Sequence, residues 1–320
     1  MNLTDLIQRT RDVVADQATD SQSARMWSDS EVVRALNGAS DAMWRRAVLA
    51  DESWGLDFVT LTDLSATSVE VAGFWNQVTI PGGLPGYIKQ IEEGVTTADS
   101  GQEIEFTNLG GAGYHKQDYV WKYDNNRAWS WGPSETLMFT TNGNTFDLDE
   151  VRIWYVRKPP HFARFTLTTS AQHPTTSTLF FDPRSAVVVL GDMSTLNRYY
   201  QNCWLHCTAS DETAGEPAGN RFRVTGWVAG AYPNHTMTVS PAHNVAGVQT
   251  TTWEIGFAWP EEHTDLIAFL AARKLLMKGG DAAQIQVIQA EIASLMEDYI
   301  LTIENRQIQT MRSVNWQERI

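Results

Sequence analysis

The chain has 320 residues, 42% hydrophobic and 19% charged, with a net charge of −14. That composition excludes a disordered chain and suits a globular protein of two or three domains. The acidic balance argues against nonspecific binding of duplex DNA, which needs clustered Lys and Arg. The opening MNLTDLIQRTRDVV has neither a continuous apolar run nor a small-residue cleavage site, so no signal peptide is expected. No stretch approaches the ~20 apolar residues of a membrane span. Two cysteines do not make a disulfide framework, and the chain reads as a soluble protein of a reducing compartment.

The N-terminal segment has helical spacing. Leu3, Leu6, Ile7, Thr10, Val13 and Val14 fall on one face at three- and four-residue steps. A polar joint, DQATDSQSA, separates this from a second helix whose start carries Ser28 and Glu31 at capping-box spacing. Val32, Val33, Leu36, Ala39, Met43 and Ala47 continue the apolar stripe, and Gly38 within it costs a helix ~1 kcal/mol against Ala.

Past residue 56 the period changes to two. YVWKYDNNRAWSW alternates aromatics around a DNNR turn and reads as a hairpin. TLMFTTNGNTFDLDE places Asn142-Gly143 between alternating segments, the strongest local hairpin cue in the chain. VRIWYVRKPP reads as an edge-like strand ended by two prolines. From Phe165 to Ile255 come FTLTT, AVVVL, QNCWLHCTA, RFRVTGWV, TMTVS and TTWEIGF, short strands between polar loops that suggest a small β-barrel or sandwich.

Helical spacing returns at Pro260, which suits a first turn, with Glu261 and Glu262 near the positive end of the helix dipole. Gly279-Gly280 breaks the run and Asp281 caps another helix. Its apolar seam is Ile285, Ile288, Ile292, Leu295, Tyr299 and Ile303. The last residues, QTMRSVNWQERI, leave this pattern but hold Met311, Val314, Trp316 and Ile320.

The pattern predicts an α+β multidomain protein. A helical bundle of 1–56 and 260–308 carries two antiparallel β insertions, a hairpin-rich one at 57–160 and a small β-barrel or sandwich at 161–259. Residues 309–320 form a C-terminal tail.

Chemistry is hard to place on this chain. On a strand, Cys203 and Cys207 lie ~13 Å apart, beyond a disulfide or a shared ion, so they read as core residues facing inward with Leu205. Trp204 and His206 then face the other way. The histidines, His115, His161, His173, His206, His235, His243 and His263, show no H-x-x-x-H spacing for zinc. LGGAGYHK, 109–116, lacks the order of a phosphate loop, and there is no G-x-S-x-G elbow. The acidic groups Glu103/Glu105 and Asp147/Asp149/Glu150, with Trp121, Trp129 and Trp131 as a stacking platform, leave open a sugar-binding protein or a glycoside hydrolase. Carboxylates alternating on a strand are more often its solvated face. No catalytic, cofactor-binding or metal-binding residues are assigned, and no enzymatic activity is expected.

Three segments in order resemble the head–tail adaptor (connector, or neck) proteins of tailed phages. They are the helix–joint–W-S-D-x-E helix of residues 5–48, the LMFTTNGNTFDLDEVRIWYVRKPP strand with its Y-x-R-x-P-P exit, and the C-terminal helix pair from Pro260. Residues 199–255 are similar to a small β-barrel module of phage neck and tail proteins, through Arg223-Val224-Thr225 and Trp253-Glu254-Ile255. Where that module has a G-x-G-Q hairpin, this chain has the longer ETAGEPAGN. The resemblance implies a virion structural protein of the neck, present in the host cytoplasm during assembly. It would form a ring of twelve copies under the portal protein and pass transiting DNA without sequence-specific contacts. It would offer a seat to tail or nozzle proteins and need no membrane or cofactor. A like charge facing the channel would let DNA slide. Met311, Val314, Trp316 and Ile320 are the candidate portal contacts.

Overall fold

The structure is a computed structural model that describes residues 2–15, 26–51, 55–64, 69–70, 75–80, 86–93, 102–106, 128–131, 136–140, 150–210, 219–230, 234–243, 250–256, 259 and 261–317; the side chains of 305–317 are not described. The protein is mixed α+β, with four helices and three largely antiparallel sheets. It divides into two compact units, one of residues 55–157 and one joining residues 1–54 to 158–320.

The 55–157 unit holds nine strands: β1 (Leu56–Leu61), β2 (Val69–Glu70), β3 (Trp75–Val78), β4 (Gly86–Glu93), β5 (Gln102–Glu103), β6 (Glu105–Phe106), β7 (Ala128–Trp131), β8 (Leu137–Thr140) and β9 (Val151–Arg157). They form two sheets, in the orders β1-β9-β4-β5 and β2-β3-β8-β7-β6. Val151, Ile153, Ile91 and Ile104 from the first share one core with Val78, Leu137 and Phe139 from the second.

Two local expectations change here. VRIWYVR is not an edge: β9 is central, paired with both β1 and β4. The prolines stop the strand but say nothing of its flanks, and Val151, Ile153 and Tyr155 are fully buried on its inner face. Both edges of β8 are taken, by β3 and β7, and the Asn142-Gly143 hairpin expectation falls on residues 141–149, outside the described residues. QEIEF is not one strand face either. Ile104 turns into the core, its N–H donating to the Ile91 carbonyl at 2.8 Å. Glu103 then lies opposite Glu92 in one sheet, and Glu105 opposite Ala128 in the other.

The second unit contains α1 (Leu3–Val13), α2 (Asp29–Ala50), α3 (Thr264–Gly279) and α4 (Ala282–Gln317). It also holds β10 (Ala163–Leu167), β11 (Thr178–Phe181), β12 (Val188–Leu190), β13 (Trp204–Ser210), β14 (Arg221–Ala229), β15 (His235–Ser240) and β16 (Thr251–Gly256). The sheet order is β11-β15-β14-β13-β16-β10-β12. One core fills it, with Phe165, Phe181, Trp227 and Trp253 beside both cysteines, which are buried as the strand alternation predicts. Strand β11 had no expectation attached to it: TLFF is too short to show alternation.

Helix α3 is the hub of the helical layer. It packs against α1, α2 and α4, and Leu266, Ile267, Leu270, Leu275 and Leu276 are buried around it. Burial this extensive marks a helix packed on several flanks, with Asp265, Lys274, Met277 and Lys278 left exposed. Ala268, Ala271 and Ala272 let those neighbours approach. Gly280, at φ 79°, closes its C-terminus in the left-handed conformation that glycine adopts without strain. Asp281 then caps α4 by accepting from the Gln284 N–H at 3.0 Å.

Polar links join elements far apart in sequence. The Ser28–Glu31 capping box is formed, and Glu31 also pairs with Lys278 at the end of α3. Asn37 on α2 clamps the Phe162 backbone, accepting from its N–H at 2.6 Å and donating to its carbonyl at 3.1 Å. The Trp259 indole donates to Ser40 Oγ at 2.9 Å. Helix α4 buries Ile288, Ile292, Tyr299 and Ile303 and leaves Val287 and Leu301 exposed. It continues through Gln317 instead of ending near residue 308. No Gly or Pro interrupts 282–317, and a running helix gains one bond for each residue it fixes.

Replacing Asn37 with Ala strands a buried N–H and a buried carbonyl of Phe162. Asn37→Ala is expected to lower stability by about 2–4 kcal/mol in urea unfolding. Glu31, held by Lys278 and then by Ser28, has its carboxyl lowered from 4.5 to about 2. Its contribution is therefore full above pH 4.5 and disappears as pH falls towards 2. Stability of the native chain minus that of Glu31→Gln should shrink across that window, and high salt should reduce the difference throughout.

Candidate functional site

The most connected polar site lies where the first turn of α1 rests on the seven-stranded sheet. Strand register lines up four side chains across it. Arg221 on β14 is opposite His206 on β13; His206 is opposite Glu254 on β16; Glu254 is opposite Arg164 on β10. Cross-strand neighbours of this kind stand about 5 Å apart, close enough to interact strongly.

Glu254 is 1% exposed, so its charge must be compensated. Arg164 reaches it at 2.6 Å. From α1, the Thr4 hydroxyl donates to it at 2.6 Å and the Thr4 N–H at 3.1 Å. Arg164 also donates to Thr4 Oγ1 at 2.9 Å, closing a three-residue ring of bonds. The carboxylate thus fastens α1 to β16, 250 residues away in sequence. Further along α1, Arg9 pairs with Asp265 on α3. Arg11, 1% exposed, pairs with Asp29 at 2.6 Å and donates to the Trp27 carbonyl at 2.8 Å.

The other half of the row is different. The Arg221 guanidinium stacks over Trp204, 4.8 Å from the ring centroid. Burial, and then the neighbouring Arg221, push His206 down from 6.5 to about 4, so its imidazole is neutral at physiological pH. Trp204, His206, Arg221 and Glu254 line a cavity of about 30 Å³ roofed by Asn2 and Leu3 of α1. Two larger, open clefts of about 390 and 340 Å³ lie along α2; Arg11 pairs with Asp29 in the first and Asp41 with His161 in the second, which Arg34 and Asp192 also line.

The remaining histidines are structural where described. His173, 2% exposed and pushed down by burial, bridges the Thr169 carbonyl and Thr251 Oγ1. His235 stacks on Trp227 and bonds the Thr195 carbonyl at 2.8 Å. His243 and His263 are buried, and His115 lies outside the described residues. Among the described residues no group of three or more His, Cys, Asp or Glu is placed to hold a metal ion. No helix among them is long and apolar enough to cross a membrane.

The acidic and tryptophan candidates do not converge among the described residues. Trp121, Asp147, Asp149 and residues 109–116 lie outside them, as do the side chains of Glu105, Trp129 and Trp131. On the β1–β9 surface Arg152 sits 4.9 Å from the Phe58 ring and 5.8 Å from that of Trp154. Of the candidate portal contacts, Met311, Val314 and Trp316 fall in the last turns of α4, with side chains outside the described set; Ile320 lies outside it altogether.

Sequence reasoning passed over Thr4, Arg11, Arg164 and Glu254. In TTWEIGF, Glu254 alternates with core residues and reads as solvated; helix α1 covering that face is what buries it. No known protein family matches the chain by sequence, and no curated protein is similar to it.

Glu254→Ala leaves Arg164 facing a buried gap and unties α1, so a loss of about 3–5 kcal/mol is expected in equilibrium unfolding. Arg164→Met combined with Glu254→Leu should recover most of that loss, because neither buried charge is then stranded.

Proposed function

We propose that this protein is a non-enzymatic structural component of a phage neck, a head-to-tail adaptor. Copies would form a ring below the portal, extend the DNA channel and offer the attachment surface for tail proteins. In this reading the four helices act as one bundle, the seven-stranded sheet curls into a small barrel, and residues 55–157 form a separate β module.

The observation that carries the reading is the meeting of the chain's two ends. Helices α1 and α2 pack on α3, with α4 alongside, and ties such as Thr4–Glu254, Arg9–Asp265 and Glu31–Lys278 span about 250 residues. A body closed by both termini, with β segments inserted between them, is what the resemblance to neck proteins implies. The net charge of −14 is compatible with a channel wall that DNA passes without sticking. The exposed apolar side chains Leu49, Met277, Val287 and Leu301 on the helices are surface that neighbouring copies could cover.

The test is electron microscopy of the purified chain mixed with the portal protein of the same phage. Rings of twelve copies stacked on the portal are expected. Absence of any complex at micromolar concentrations of both proteins overturns the reading. A chain lacking residues 309–320 is expected to lose portal binding; unchanged binding rejects the tail as the contact while leaving the ring in place.

A further inference from the structure

The row Arg221–His206–Glu254–Arg164 carries two permanent cations and one carboxylate. That carboxylate is already satisfied by Arg164 and Thr4. Among the described residues the Arg221 guanidinium stacks on the Trp204 ring beside His206, and neither side chain makes a hydrogen bond. Stacking on an indole holds a guanidinium in place while leaving its in-plane donors open. Both side chains border the cavity under α1. Its volume of about 30 Å³ accommodates about two water-sized groups, the size of the two oxygens of a carboxylate. Leu6, Phe162 and Trp259 supply apolar walls for whatever carries that group.

We infer that this cavity is a binding site for a carboxylate, held by the Arg221 guanidinium and the His206 imidazole. Such a site goes beyond a role in ring assembly and does not depend on it. The guanidinium donates through its N–H groups, and His206 donates from one ring nitrogen. The charged groups that act on the imidazole are Arg221 on β14, the amino group of the chain's N-terminus, Glu254 on β16 and Asp5 on α1. Glu254 is neutralised by Arg164, and Asp5 sits in the first turn of α1. A bound anion favours the protonated imidazole, so binding and protonation assist one another, and affinity rises as pH falls.

The test is titration with sodium acetate, followed by the Trp204 indole N–H signal at pH 7.5 and 5.5. Chloride holds ionic strength constant, and concentrations are corrected for acetate ionisation. A saturable shift is expected, with affinity several-fold higher at pH 5.5; acetamide gives none. Arg221→Gln, at an exposed position, should keep the thermal midpoint and abolish the shift. His206→Gln should bind with the pH dependence removed. No saturable shift up to 100 mM acetate, or an undiminished shift in Arg221→Gln, overturns the site. A short peptide with a free C-terminal carboxylate, compared with its amide, separates the sources. Binding tighter than acetate assigns a protein terminus, and equal or weaker binding assigns a small free acid.

Discussion

The burial of α3 is the constraint on which the helical unit depends. This helix presents apolar or small residues over most of its surface and leaves Asp265, Lys274, Met277 and Lys278 exposed. It needs α1 on one flank, α2 on another and α4 on a third before its own formation is favourable. Fully burying a Leu or Ile contributes about 1.5–3 kcal/mol, and α3 alone buries Leu266, Ile267, Leu270, Leu275 and Leu276. The first and last thirds of the helical layer are therefore obliged to meet, whatever lies between them in sequence.

Polar ties then decide how they meet. Burial is non-directional and would tolerate several placements of α1 over α3. The ring of bonds among Thr4, Glu254 and Arg164 tolerates far fewer. So does the Asn37 clamp on the Phe162 backbone, which fixes α2 against the entry to β10. Gly256 helps, because the Phe162 ring lies where its Cβ would be, 2.1 Å away. The same register that delivers Glu254 to Arg164 leaves Arg221 and His206 facing a small cavity, so structural tie and candidate ligand site are two ends of one cross-strand row.

Legibility in the sequence followed the range of the interaction. The Ser28–Glu31 box, the α1 and α4 stripes, the Gly280 stop, the Asp281 cap and the inward cysteines were all readable, since each rests on neighbours within a few residues. Pairing of strands was not. The partners of β8 are β3 and β7, chosen by the core that Val78, Leu137 and Phe139 share. The prolines after β9 marked where the strand stops without revealing that it is central. Arg11 is the sharpest case: a charged residue in the last turn of a short helix, which only the return of Trp27 and Asp29 encloses.

By itself the amino-acid order determined the period of each segment, its caps and stops, and therefore a protein helical at both ends and stranded between. Those features depend on backbone geometry and on contacts one turn or one pleat away. Tertiary structure alone decided which polar residues are buried and which strands are neighbours. Alternation sorts a strand into two faces, but it does not say which face another element will cover. Glu254 became the fastening of α1 because a helix 250 residues away lies over it.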